Sequence, residues 1–177
     1  MHPYPARLET ELALADGRRV EVRPIRPDDA EREKRFVRGL SERTRFQRFM
    51  HAMTELSPGM LERFTHPDYV RELALVALHA GEFIAVARYA PAAEAGTAEF
   101  ALVVGDAWQR KGLGRALLRM LQAEAARAGY ARLCGTILDD NHAMLDLVRG
   151  LGFRPTGRDG PAVVMSMPLI AGGPAPT

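Results

Sequence analysis

The apolar positions of this chain change period several times, and the changes mark out its elements. Residues 12–17 read as a short strand running into Asp16-Gly17, a dipeptide suited to a hairpin turn, and residues 19–25 alternate as the strand that follows. Pro24 and Pro27 end that strand. Asp28 and Asp29 then open a polar helix reaching about Gly39, with acids in the first turn where the helix dipole favours them. Ser41 is positioned to cap a second helix with Phe46 and Phe49 on its apolar side, and Ser57-Pro58 starts a third. Residues 73–79 and 83–89 are strands joined by Ala80-Gly81-Glu82 as a hairpin, residues 91–97 a loop, and residues 98–104 a strand that is apolar except for Glu99.

From there the period becomes helical. Leu113, Leu117, Met120, Leu121 and Ala125 recur on one face of a helix that begins near Gly112 and stops at Gly129. Residues 132–138 form another strand, Asn141 caps a helix through Leu151, and residues 154–156 and 163–168 complete the sheet. Strands come first, then strand, helix, strand, helix, strand. That order predicts an α/β (α+β) fold with a mixed sheet and helices on both faces.

Length and composition narrow the class. The chain has 177 residues, 47% hydrophobic and 26% charged, as expected for one globular domain. We read residues 1–11 as a loose arm, 12–170 as the domain and 171–177 as a disordered tail. No apolar run approaches the ~18 residues of a membrane span, so no membrane partner is expected. One cysteine, Cys134, excludes an internal disulfide and fits the reducing cytoplasm. Cys134 lies on a predicted buried strand and reads as a small core residue. The histidines show no metal spacing, so no metal is expected. A net charge of +2 does not point to nucleic acid. Residues 18–50 hold eleven Lys or Arg against six acids, without aromatic interleaving or a recognised motif. They read as solvated helix faces, or as a basic rim suited to an acidic acceptor surface.

The start of the long helix carries the first functional signal. Lys111 or Gly112 stands where a Ser, Thr, Asp or Asn would cap it, while Arg110, Lys111 and Arg115 crowd the positive end of the dipole. An anion on the exposed N–H groups would reverse that unfavourable placement, and Gly112 and Gly114 leave room for its approach. A Walker loop is excluded, because Lys111 precedes Gly112 and no Ser or Thr follows. A dinucleotide fingerprint lacks its third glycine, since Leu117 stands there.

What remains is Gln/Arg-x-x-Gly-x-Gly/Ala, met by Gln109-Arg110-Lys111-Gly112-Leu113-Gly114 between an apolar strand and an amphipathic helix. This resembles the coenzyme A pyrophosphate loop of the GNAT acetyltransferases. The likeness runs from about Asp16 to Pro168. Arg23-Pro24-Ile25-Arg26-Pro27-Asp28-Asp29-Ala30, Ser41-Glu42-Arg43-Thr44-Arg45-Phe46 and Ala98-Glu99-Phe100-Ala101-Leu102-Val103-Val104 resemble the acetyltransferase domain of Pat-type bacterial protein lysine acetyltransferases. The resemblance implies a GNAT fold, with a mostly antiparallel sheet, and acetyl-CoA as co-substrate. It implies that Leu102, Val103 and Val104 offer backbone groups to the pantetheine arm. N–H groups of Gln109, Arg110, Lys111, Gly112, Leu113, Gly114 and Arg115 would hold the pyrophosphate. Asn141 and Met144 would contact the cofactor from the next helix, although Asn141 also serves as an ordinary N-cap. Trp108 would cover the cofactor or pack the turn.

The same resemblance places a catalytic glutamate at Glu99. Its strand is apolar enough to be central, and desolvation there would bring the carboxylate toward the basicity needed to deprotonate an amine. A lysine ammonium, with a reference pKa of about 10.4, must lose a proton before it attacks a thioester. The other reading of Glu99 is a solvated carboxylate at the start of the strand. Many GNAT enzymes place a Tyr on the last helix to protonate the leaving thiolate; here that position is Val148, leaving water for the task. The expected activity is direct acetyl transfer to a protein lysine. A small-molecule amine and a catalytically silent CoA-binding module are the alternatives.

Overall fold

The structure is a computed structural model that describes residues 2–170. The chain forms β1 (Thr10–Ala13), β2 (Arg19–Pro24), α1 (Ala30–Gly39), α2 (Glu42–Phe49), α3 (Pro58–Thr65), β3 (Leu73–His79), β4 (Glu82–Pro91) and β5 (Thr97–Val104). It continues through α4 (Leu113–Arg127), β6 (Arg132–Leu138), α5 (His142–Gly150), β7 (Arg154–Asp159) and β8 (Ala162–Pro168). The strands make one eight-stranded sheet in the order β1-β2-β3-β4-β5-β6-β8-β7. Every neighbouring pair is antiparallel except β5 and β6.

Helices cover both faces, and each strand's alternation divides its side chains between two cores. On β3, Leu73, Leu75 and Ala77 enter one core with Leu113, Leu117, Leu118 and Leu121 of α4. Ala74, Val76 and Leu78 enter the other with Phe36 and Val37 of α1. That double burial explains why β3 is apolar throughout rather than alternating. The three fully buried leucines Leu117, Leu118 and Leu121 each contribute about 1.5–3 kcal/mol by leaving water. No helix among the described residues is long and apolar enough to cross a membrane.

The parallel pair is short, and this shapes the cleft. β5 and β6 are in register only at Thr97 with Arg132, Ala98 with Leu133 and Glu99 with Cys134. Beyond Glu99, β5 keeps its β4 partner while β6 keeps β8, so the two strands part. Phe100 lies at the fork. A Cβ built on Gly135 would meet its ring at 2.3 Å, so glycine alone lets β6 run past that ring. Phe100 also meets Phe153 edge to face at 5.4 Å.

Two expectations are corrected. The segment read as a loose arm is packed: Ala6–Leu8 forms a 3-10 turn, Leu8 is buried, Arg7 pairs with Glu124 on α4, and β1 begins at Thr10. Phe46 is 45% exposed instead of lying on a buried helix face, while Phe49 packs against the second core. The tail at residues 171–177 lies outside the described residues.

Candidate active site

The loop between β5 and α4 is built to leave its backbone N–H groups free. Arg110 and Gly112 both take left-handed backbone, at φ 60° and 85°, which curls the chain before α4. Gly112 is the helix N-cap and has no side-chain cap bond, as the sequence predicted. The first backbone bond of the helix start runs from Ala116 N–H to Gly112 C=O at 3.1 Å. Among the described residues, no N–H from residues 109–115 donates to a protein acceptor. Such a run of orphan donors at the positive end of a fifteen-residue helix is chemically suited to an anion. A Cβ at Gly112 would meet no protein atom within 4 Å, so within the protein it is the positive φ that demands glycine. At Gly114 space does matter, because a Cβ would lie 3.2 Å from Leu147 and 3.4 Å from Leu102.

Two contacts hold the loop from outside. The β1–β2 turn braces it through Ala15 N–H to Lys111 C=O at 3.2 Å and Lys111 Nζ to Asp16 at 3.5 Å. Hydrogen bonds from the Arg18 side chain and N–H, with Lys111 adding to them, pull the Asp16 carboxyl down to about 2. On the other side Asp106 accepts from Ser41 Oγ and Thr44 Oγ1, each at 2.7 Å, and from Ser41 N–H at 2.9 Å. Burial alone would push the Asp106 carboxyl up, but those donors leave it below its ordinary value. Gln109 Nε2 reaches Val104 C=O at 3.1 Å and Thr44 Oγ1 at 3.4 Å, so its side chain closes the loop onto β5 and α2. Ser41 was legible as a cap; its role in tying α2 to the loop through Asp106 was not.

One cleft of about 1040 Å³ joins these parts. Its walls include Leu102, Val103 and Val104 on the edge of β5 that lacks a strand partner, together with Gln109, Arg110, Gly112, Gly114, Arg115, Asn141 and Met144. Lys111 and Leu113 belong to the same loop without lining the cleft; the first turns to Asp16 and the second is buried. Asn141 Oδ1 accepts from Met144 N–H at 3.3 Å, so the cap is formed. Trp108 lines the cleft, packs at a tilt against His79 at 4.8 Å and lies beneath Arg18 at 3.9 Å.

Glu99 opens into this cleft, but not as the strand pattern suggested. Its side chain shares a face with Ala101 and Val103, the face that carries the α1–α3 core, as alternation predicted. The expected nonpolar enclosure is corrected: Glu99 is exposed, because it sits at the last register pair before β5 and β6 part. Thr136 Oγ1 donates to Glu99 Oε1 at 3.2 Å and orients the carboxylate. Val148, where a proton-donating Tyr would stand, is fully buried. Cys134 is half-buried, and burial, with the Glu99 charge adding to it, pushes its thiol up, away from the nucleophilic thiolate.

The wall above Glu99 holds two charges that the sequence did not single out: Arg88, and Arg48 from the basic run over residues 18–50. Arg88 on β4 stands opposite Ala101 and is therefore a diagonal, same-face neighbour of Glu99. It pairs with buried Glu33 of α1 at 2.8 Å and lies over the Phe64 ring at 4.1 Å. Arg48, in the last turn of α2, lines the same cleft. The basic excess over residues 18–50 is otherwise largely consumed inside the protein. Arg23 pairs with buried Asp29, Arg26 with Glu9 and Arg35 with Glu82, and Arg45 donates to the Leu40 and Met53 carbonyls. Among the described residues no group of three or more His, Cys, Asp or Glu is arranged to hold a metal ion.

Comparison with known proteins agrees with this geometry. The Acetyltransferase (GNAT) family model matches residues 36–153. An acetyltransferase of Pseudomonas aeruginosa is 39% identical over 145 residues, covering 80% of this chain and 78% of that protein. The acetyltransferase Pat of Mycolicibacterium smegmatis is 30% identical over 153 residues, covering 85% of this chain but 44% of Pat, so the present chain spans under half of that relative. Among solved structures, the GNAT domain of S. lividans PAT superposes with a TM-score of 0.88 at 35% identity, covering 94% of this chain and all of that one. With its matching sheet, its split strands and its loop of free amides, the chain belongs to the GNAT family of acetyltransferases.

Proposed function

We propose that this protein transfers the acetyl group of acetyl-CoA directly to a lysine side chain of another protein, with Glu99 as general base. The observation that carries this reading is the parting of β5 from β6 just after Glu99. One strand thereby supplies a base in the cleft, an unpaired backbone edge beyond it, and then a loop of free N–H groups. A pyrophosphate fits that loop by charge and by the space at Gly112, and an extended amide-bearing arm fits the edge at Leu102, Val103 and Val104. Asn141 and Met144 close the cofactor side from α5.

Bound acetyl-CoA supplies the acyl group as a thioester. Glu99, oriented by Thr136, takes the amine proton directly or through one water, freeing the nitrogen lone pair to attack. A backbone N–H of β5 near Val103 stabilises the charge that develops on the carbonyl oxygen. Val148 offers no proton, so water protonates the departing thiolate. Single Cys134 and its raised thiol suit a reducing cytoplasm and a route without an acetyl-cysteine.

Support for a protein acceptor comes from the likeness to the PAT domain and to Pat. The test is mass spectrometry of proteins acetylated in a cell lysate by wild type and by Glu99→Gln. The expected result is a set of acetyl-lysines present only with wild type. Acetylation of small amines alone would favour a small-molecule acceptor, and acetyl-CoA binding without turnover would favour a silent module.

A further inference from the structure

The acceptor side of the cleft contains a cation with no direct ion-pair partner among the described residues. Among the described residues, no carboxylate lies within 4 Å of the Arg48 guanidinium and it donates no hydrogen bond to protein; its nearest recorded partner is the Phe49 ring at 4.6 Å. Arg48 is only partly exposed; burial and the neighbouring Arg88 charge work against its charged form, while the more distant Glu33 and Glu99 carboxylates favour it. Arginine keeps its proton in such settings, so the structure holds an unsatisfied cation rather than a neutral side chain. Beside it, the Arg88–Glu33 pair is incomplete, with Arg88 Nε and Glu33 Oε2 both buried and unpartnered. A buried ion pair is favourable only when its remaining donors and acceptors are met.

We propose that Arg48, backed by Arg88, forms a carboxylate subsite and that the acceptor carries a carboxylate close to its reacting amine. This inference rests on the reading of the cleft as an acetyltransferase site and adds the chemistry of its substrate. The order of charges along the cleft points to such an acceptor. Glu99 lies on β5 at the fork, Arg88 lies diagonally across on β4, and Arg48 faces them from α2 in one cleft. An acceptor with an ammonium group and a nearby carboxylate complements that order: the ammonium meets Glu99 and the carboxylate meets the arginine fork. Thr136 already engages Glu99 Oε1, so the base has a fixed direction along which the amine is presented. An acceptor whose carboxylate is amidated leaves Arg48 unpaired and desolvated on binding, which penalises it. The carboxylate has two sources, a free amino acid or an acidic residue beside the target lysine, and the probes below separate them.

The experiment compares kcat/KM for matched acceptors. One arm uses ω-amino carboxylates of graded length against their amides. The other uses lysine peptides with a flanking Glu against the same peptides with Gln. Wild type should favour one acidic series by on the order of tenfold, and Arg48→Gln should erase that preference while Arg48→Lys retains part of it. Titration of glutarate, which has no amine, into the CoA-bound protein reads the subsite without turnover. Glutarate should bind wild type and lose on the order of fivefold or more in Arg48→Gln, with the fold of each variant checked by its thermal transition. Equal rates for acid and amide, or a preference that survives in Arg48→Gln, overturns the subsite even if Glu99 proves to be the base. Glutarate binding that depends on Arg48 while no amine is acetylated upholds the subsite and overturns the transferase reading instead.

Discussion

The two halves of this cleft offer different means of recognition, and on the proposed reading one takes the acetyl donor and the other the acceptor. The donor half presents backbone: the free N–H groups of residues 109–115 and the unpaired edge of β5. The acceptor half presents side chains drawn from α2 and two strands, Arg48, Arg88 and Glu99 among them, with buried Glu33 of α1 behind Arg88. Backbone donors placed by one turn and one helix start depend on a short contiguous stretch and a left-handed glycine. Side-chain walls depend on residues far apart in sequence, and each can be replaced without refolding the loop. The donor half is therefore expected to be common to many acceptors, and the acceptor half to be particular to this chain.

Separate perturbation of the halves tests that division. The largest effect is expected from Glu99→Gln, which should lower kcat/KM on the order of a hundredfold or more while leaving the acetyl-CoA dissociation constant nearly unchanged. Steady-state rates with an acetyl-CoA titration separate the two. Gly112→Asp should act oppositely, weakening acetyl-CoA on the order of tenfold or more. Left-handed backbone costs a non-glycine residue about 1–2 kcal/mol, and the new carboxylate repels the pyrophosphate at the helix start. Calorimetry with normal affinity would separate the loop from cofactor binding.

Both halves share the fork, and Gly135→Ala strikes them together. Its methyl would meet the Phe100 ring at 2.3 Å, so a destabilisation of about 1–3 kcal/mol is expected, read as a lower melting temperature. The smallest effect concerns pH. Asp106 has a folded value below its unfolded one because Ser41 and Thr44 outweigh its burial. Its contribution is thus complete above the unfolded value of about 3.9 and is lost as pH falls through the folded value. Acid titration of stability should show this loss, and Asp106→Asn should flatten it.

Legibility followed the same division. The phosphate loop was readable because its glycines, basic residues and flanking periods lie within one stretch. Strand alternation also gave the correct face for Glu99, because that depends only on local geometry. Its burial could not be read, since it depends on where β6, a strand distant in sequence, departs from β5. Arg88 sits in Phe83-Ile84-Ala85-Val86-Ala87-Arg88-Tyr89, a charge inside an apolar strand, and this was the signal used for Glu99. Arg48 gave no comparable mark, because a basic residue on a polar helix is ordinary. The N-terminal segment looked loose because its anchors, Leu8 and Arg7, act on α4 and the core rather than on their neighbours.

The most direct test of a cleft divided between backbone and side chains is an amide-resolved NMR titration with acetyl-CoA. Saturable shifts are expected at the N–H groups of residues 109–115 and 102–104, with smaller ones near Asn141 and Met144. Residues around Arg48 and Arg88 should respond only when an amine acceptor is added. Saturable shifts that bypass the loop and collect on the Arg48 and Arg88 wall would overturn this division of the cleft.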